Sequence, residues 1–162
     1  MGKYLLLLLF SLSAQAADLD RLHKIGSGEM QFLFWTLYRA ELYGAEPDYQ
    51  AAGDKALRIN YYRDIDNDAL IEATIDQWRH LGYSDEQIVR WQAHIQGLWP
   101  DVRQGDSLTL WVNTQGDSHF YFGDKKLGQI QDQTFGEAFL AIWLSERTSE
   151  PELRQGLLGL RQ

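Results

Sequence analysis

KIGSGEMQFLFWTLYRAELYG, residues 24–44, is the stretch on which the fold turns. Phe32, Phe34, Trp35, Leu37, Tyr38, Leu42 and Tyr43 favour a pleated, half-buried surface, so the run reads as one long central strand. Gly26, Ser27 and Gly28 at its start leave the backbone room for a bend or bulge. Phe32 to Trp35 puts apolar groups on both faces, which suits a strand that is covered on both sides or kinked in the middle. Either arrangement places the run inside the protein.

Outward from that run the periodicities are plainer. Beyond a loop from Glu46 to Asp54, the segment Ala56 to Tyr62 alternates, with Leu57, Ile59 and Tyr61 on one face and Arg58, Asn60 and Tyr62 on the other. Arg58 is then either a solvated residue of an outer face or, if its face turns toward a cavity, a cation for an anionic ligand. Asp66 or Asn67 caps a helix whose stripe is Leu70, Ile71, Thr74, Ile75, Trp78 and Leu81, ending at Gly82. Ser84 and Gln87 form a capping box that opens a second helix, which Pro100 stops. Three short strands follow from Ser107, joined by tight turns, as an antiparallel meander. Thr134 with Glu137, and Ser149 with Glu152, read as capping boxes of two last helices. The order lacks βαβ alternation, so the fold class is α+β: an antiparallel sheet with helices laid on one face.

The first sixteen residues read as a signal peptide. Lys3 is followed by an apolar run from Tyr4 to Leu12 and by Ala14-Gln15-Ala16, which places cleavage after Ala16 and the mature domain at 17–162, in the periplasm. That run falls short of the roughly 20 residues of a membrane span, so no integral membrane segment is expected after cleavage. There is no cysteine, which excludes disulfides, thiolate metal sites and thiol nucleophiles. With Lys3 set aside, 14 of the 15 basic residues face 23 acidic ones, a formal net of −9 that disfavours nucleic acid and anionic membranes as partners.

No catalytic or metal constellation stands out, and no cofactor is expected. Asp64 to Asp68 resembles the start of a calcium loop, but Ala69 and Ile75 occupy the positions where that loop needs Gly and Glu. Gly123-Asp124-Lys125-Lys126 lacks the second Gly and the Ser or Thr of a phosphate loop. His23, His80, His94 and His119 are scattered.

Four segments taken together, GSGEMQFLFWTLYRAELY, ALRINYYRDIDNDALIEATIDQWRHLG, WPDVRQGDSLTL and GEAFLAIWLSERTSEPELRQGLLG, resemble the exported bacterial branch of the chalcone isomerase-like family, in the right order over the whole mature chain. The resemblance implies an open-faced β-sandwich, a large antiparallel sheet with a helical layer and a ligand cleft between them. It does not imply the isomerase reaction, because that fold also serves non-catalytic fatty-acid-binding proteins. The enzyme's essential Arg falls on Gly28 or Glu29, its strand Thr on Tyr38, its helical Tyr and Asn near Asp66 and Ala73, and its late Ser or Thr on Gly136. In the fatty-acid-binding branch a Tyr at the position of Tyr38 helps hold a carboxylate. The expectation is therefore a non-enzymatic protein holding a fatty acid or related amphiphile. Tyr38 would meet the head group, Thr36 and Arg58 would lie in the same site, and Phe34, Ile75, Trp78, Phe139 and Trp143 would line the apolar part. Unless Arg58, Arg39 or Lys24 replaces the missing Arg, a charged head group has no counter-ion and a neutral lipid fits better. Two alternatives stay open: an intramolecular lyase or isomerase using Glu29 or Glu41 near Tyr38, and a protein-interaction accessory of envelope lipid metabolism that exposes an apolar patch.

Overall fold

Residues 24–44 fold as a hairpin rather than as one strand. A computed structural model describes residues 17–161, and within it β1 (His23–Phe32) and β2 (Trp35–Gly44) pair antiparallel down to Phe32 and Trp35, with Leu33 and Phe34 alone in the turn. The apolar groups that crowded both faces are the turn itself, so Phe32 to Trp35 lie in solvent and not inside. The signal-peptide reading of residues 1–16 lies outside the described residues.

Four further strands follow in order: β3 (Lys55–Tyr61), β4 (Ser107–Val112), β5 (Ser118–Phe122) and β6 (Lys125–Ile130). They complete a six-stranded sheet in which every neighbour is antiparallel and consecutive in sequence. The expected α+β architecture is therefore present, with β1 at the edge instead of the centre. The helices α1 (Asn67–Leu81), α2 (Asp85–Ile95), α3 (Gln133–Leu144) and α4 (Pro151–Leu157) complete the chain. On the helix-covered face of the sheet sit Ala40, Leu42, Leu57, Ile59, Leu108, Leu110 and Phe120, all buried. Against them pack Trp78, Trp91, Phe135 and Phe139. The Trp78 and Trp91 rings lie 5.2 Å apart, and Phe135 and Phe139 stack at 5.7 Å. Such aromatic pairs add to the area they bury, so one contiguous core ties sheet and helices together.

Local signals hold the helices with some changes of partner. The Ser84–Gln87 capping box is made in both directions. Thr134 is the second residue of α3, whose cap is Asp132, accepting from the Thr134 amide at 3.0 Å. Ser149 donates to Gln77 instead of capping α4, and Thr148 accepts from the Glu150 amide. A carboxylate two residues upstream displaces Thr134 as the cap, and a neighbouring helix draws Ser149 away.

Gly26 and Gly28 have a use beyond bending. α4 crosses β1 so closely that a Cβ on Gly26 would run into the carbonyl oxygens of Gly156 and Leu157, and one on Gly28 would meet Leu153 at 2.6 Å. Ile25 bulges out of register between Lys24 and Gly26, and the bare backbone lets Leu153 and Leu157 bury against the edge strand. The edge is thereby covered from the core side.

Candidate functional site

A cavity of about 280 Å³ lies between the β1–β2 hairpin, the middle of the sheet, α1 and α3. Ile59, Leu108, Trp99 and Phe139 form its apolar walls. Ala69, Ala73 and Ser149 line it while remaining exposed, which marks its mouth along one side of α1. The hairpin contributes Met30, Leu37 and Tyr38. Two consecutive residues of one strand share a wall because β2 bulges there: Met30 pairs with Tyr38 and Gln31 with Thr36, leaving Leu37 unpaired.

Tyr38 is enclosed by protein yet presents part of its surface to this space. Its hydroxyl accepts a hydrogen bond from Trp143 Nε1 at 2.9 Å, and no acceptor for its own proton is found among the described residues. Burial pushes the phenol up to about 12, against the Trp143 hydrogen bond and with the help of Glu150, so at neutral pH it is a protonated donor. Tyr61 stands 6.0 Å away, ring edge to ring face, and burial raises its phenol further. The carboxyl on the wall belongs to Glu150 and is raised by burial and then by Glu152. Among the described residues no Lys, Arg or His lines the cavity.

The sequence-predicted site residues divide accordingly. Tyr38, Phe139 and Trp143 come together on the wall. Phe34 does not: it is 98 % exposed at the hairpin turn. Thr36 pairs with Gln31 beyond the bulge and does not line the cavity. Trp78 is fully buried one layer deeper, donating from Nε1 to the Ala138 carbonyl at 3.0 Å, and Ile75 packs against that core off the cavity wall. Arg58 sits on the opposite face of the sheet. There Glu41 accepts from Arg58 at 2.6 Å, from Lys24 at 3.0 Å and from Tyr43 at 2.8 Å, with Arg39 Nε at 3.9 Å. The three cations suggested as counter-ions are thus gathered around one carboxylate outside the cavity. Burial alone would raise Glu41, but the donors from Arg58, Lys24 and Tyr43 hold it at about 2. Nor do the carboxylates suggested for a lyase reach Tyr38. Glu41 is in this cluster, and Glu29 accepts from the Tyr62 hydroxyl beside a polar cleft at the sheet edge.

Glu150, Gln77 and Tyr61 are the wall groups that sequence reasoning missed. Tyr61 shares its strand face with Leu57 and Ile59 in the alternation, and that face is the one the helices cover. Glu150 carried no such signal, since its position depends on the turn after α3, where Thr148 bonds the Ile142 carbonyl at 2.7 Å.

Residues 13–159 match the family model described as chalcone isomerase-like. The chain belongs to the chalcone isomerase-like family. It is 24 % identical over 146 residues to an uncharacterized protein of Haemophilus influenzae, covering 89 % of this chain and 71 % of that protein. Among solved structures it resembles the Arabidopsis thaliana fatty-acid binding protein, with a TM-score of 0.65 at 12 % identity over 90 % of this chain and 89 % of that one. That likeness establishes a chalcone isomerase-like fold. In this chalcone isomerase-like chain Ala73 lies on the cavity wall and Asp66 precedes α1 at the surface. A side chain on Gly136 would meet Ser118 Oγ at 2.8 Å, so the fold closes over that position.

Proposed function

We propose that this protein binds a single-chain amphiphile in the cavity between sheet and helices, without catalysis, and that its head group is uncharged: a fatty acid in its protonated form or a related neutral lipid. One observation carries the reading. An apolar cavity holds a buried phenol, Tyr38, whose oxygen is fixed by Trp143 and whose proton finds no acceptor among the described residues. Such a donor suits the carbonyl oxygen of an ester or a neutral acid. A carboxylate would find Glu150 and, among the described residues, no cation. At about 280 Å³ the cavity lies at the small end of the ~300–1,000 Å³ range of ligand pockets, which favours a single acyl chain. The fatty-acid binding named for the Arabidopsis thaliana relative supports the ligand class. The leader pattern at residues 1–16 supports the periplasm as the place of action.

The test is native mass spectrometry of the purified protein with extraction of anything bound, followed by titration with a medium-chain monoacylglycerol. A Tyr38→Phe variant that keeps its fold should bind about 2- to 10-fold more weakly, the worth of one neutral hydrogen bond. An empty protein that takes up neither the monoacylglycerol nor a fatty acid would overturn the proposal.

A further inference from the structure

The turn of the β1–β2 hairpin exposes four consecutive large apolar residues: Phe32 at 58 %, Leu33 at 76 %, Phe34 at 98 % and Trp35 at 53 %. Leu33 has φ +54°, the one positive value at a non-glycine among the described residues. A two-residue hairpin loop with positive φ at its first central residue follows the type II′ pattern, in which that place belongs to Gly. Leu there bears strain and gains no burial. Neither Leu33 nor Phe34 belongs to the core. The fold would be served better by Gly-Asn or Gly-Ser, so the sequence at this turn answers to something outside the chain.

Its shape and neighbours indicate what. The apolar groups sit on a convex tip instead of a flat patch or a groove. The Arg63 guanidinium lies 3.8 Å from the Trp35 ring centroid, placing a cation beside the ring. Phe and Leu at the apex, Trp behind them and Arg at the base is the order of side chains that fits the depth profile of a lipid interface: acyl boundary, headgroup zone, phosphate. Met30 and Leu37, both on the cavity wall, are each three residues from the turn pair Leu33-Phe34. At ~3.3 Å per residue that is roughly 10 Å along the strands, at the upper end of the ~5–10 Å that interfacial segments enter a bilayer.

We propose that the hairpin tip is a membrane-docking element: Leu33 and Phe34 insert into the surface of a zwitterionic bilayer, Trp35 rests among the headgroups, and Arg63 meets a lipid phosphate. Docking brings the Met30 and Leu37 wall to the bilayer surface. Loading of a lipid from the membrane into the cavity would then rest on the function proposed above, but docking does not. The net charge of −9 on residues 17–162 opposes anionic surfaces, so attachment is apolar and nearly independent of salt.

The experiment is co-sedimentation with phosphatidylcholine vesicles, comparing the purified parent with Leu33→Gly and with Leu33→Gly/Phe34→Ser. The variants share every other residue, so the apolar run at 4–12 weighs equally on all of them. Leu33→Gly supplies the residue the turn prefers and should melt at or above the parent's temperature. The expected result is a partition coefficient at least about tenfold lower for the double variant, little change on adding about 0.5 M NaCl, and quenching of Trp35 by brominated lipid that disappears in Trp35→Phe. Equal partition of parent and double variant would overturn the proposal. So would a concentration-dependent dimer dispersed by the same substitutions with no partition into vesicles, which would make the tip a contact between copies. None of these readouts depends on an occupied cavity, so docking and lipid binding can fail separately.

Discussion

Replacing Glu41 by Gln tests whether the cations outside the cavity serve the fold or a ligand. The carboxyl is about 10 % exposed and holds Arg58, Lys24 and Tyr43 on its two oxygens. Its pKa falls from 4.5 to about 2 on folding. At 1.36 kcal/mol per unit this corresponds to roughly 3 kcal/mol. The cations are 36–45 % exposed, so solvent screening brings the expected loss to about 2–3 kcal/mol. For a domain of this size that is a fall of roughly 5–10 °C in Tm. Because the folded pKa lies below the unfolded one, the contribution is complete above about pH 4.5 and is lost as pH falls toward 2. Thermal or urea melts at pH 7, 4 and 3 should therefore show a gap between parent and Glu41→Gln that narrows in acid. Arg58→Met should lower stability too, while changing affinity for a neutral amphiphile by less than about twofold. A Glu41→Gln protein within ~0.5 kcal/mol of the parent at pH 7, or a gap unchanged down to pH 3, would refute the reasoning. A large loss of ligand affinity in Arg58→Met would return the cation to the site.

Gly156→Ala should destabilise by about 1–3 kcal/mol, because the new Cβ would lie 2.6 Å from the Ser27 carbonyl oxygen. Helix propensity alone predicts a gain of up to ~1 kcal/mol, so a raised melting temperature would show that α4 is not wedged on β1 as described. For the ligand, affinity for a fatty acid should strengthen as pH falls toward the acid's own pKa, by up to about tenfold per unit above it. Affinity for a monoacylglycerol should stay level over the same range, and a fatty acid bound more tightly at pH 8 than at pH 6 would contradict the neutral-head reading.

Much of the fold was legible because its signals are local. The Leu57, Ile59, Tyr61 alternation, the α1 stripe and the Ser84–Gln87 box each specify their element without tertiary help. The hairpin was not legible, because Leu33 and Phe34 carry none of the Gly, Asn or Asp chemistry by which a two-residue turn announces itself. A turn built from residues that suit a strand reads as strand, and the error then places Phe34 inside. Thr36 was misplaced for a related reason: the bulge at Leu37 shifts the alternation, and no residue type there marks it. Trp78 and Ile75 shared the right helix but not the right depth, which depends on how α3 lies against α1. Tyr38, Phe139 and Trp143 were found because a family resemblance and a helical stripe converge on them.

The same geometry links the departures from expectation. Had residues 24–44 been a central strand, both its faces would have been covered and Arg58 or Arg39 could have turned inward to a head group. As an edge hairpin, the run has three environments. Its core face, Tyr38 to Leu42, builds the cavity and the core. Its outer face collects Lys24, Arg39 and Arg58 around Glu41, with all three cations withdrawn from the cavity. Its end, standing clear of the core, holds a strained leucine between two exposed phenylalanines. The neutral character of the cavity is thus a consequence of topology as much as of side-chain choice: the chain has cations close by in sequence, and the alternation of β2 sends Arg39 to the face away from the wall that Tyr38 forms.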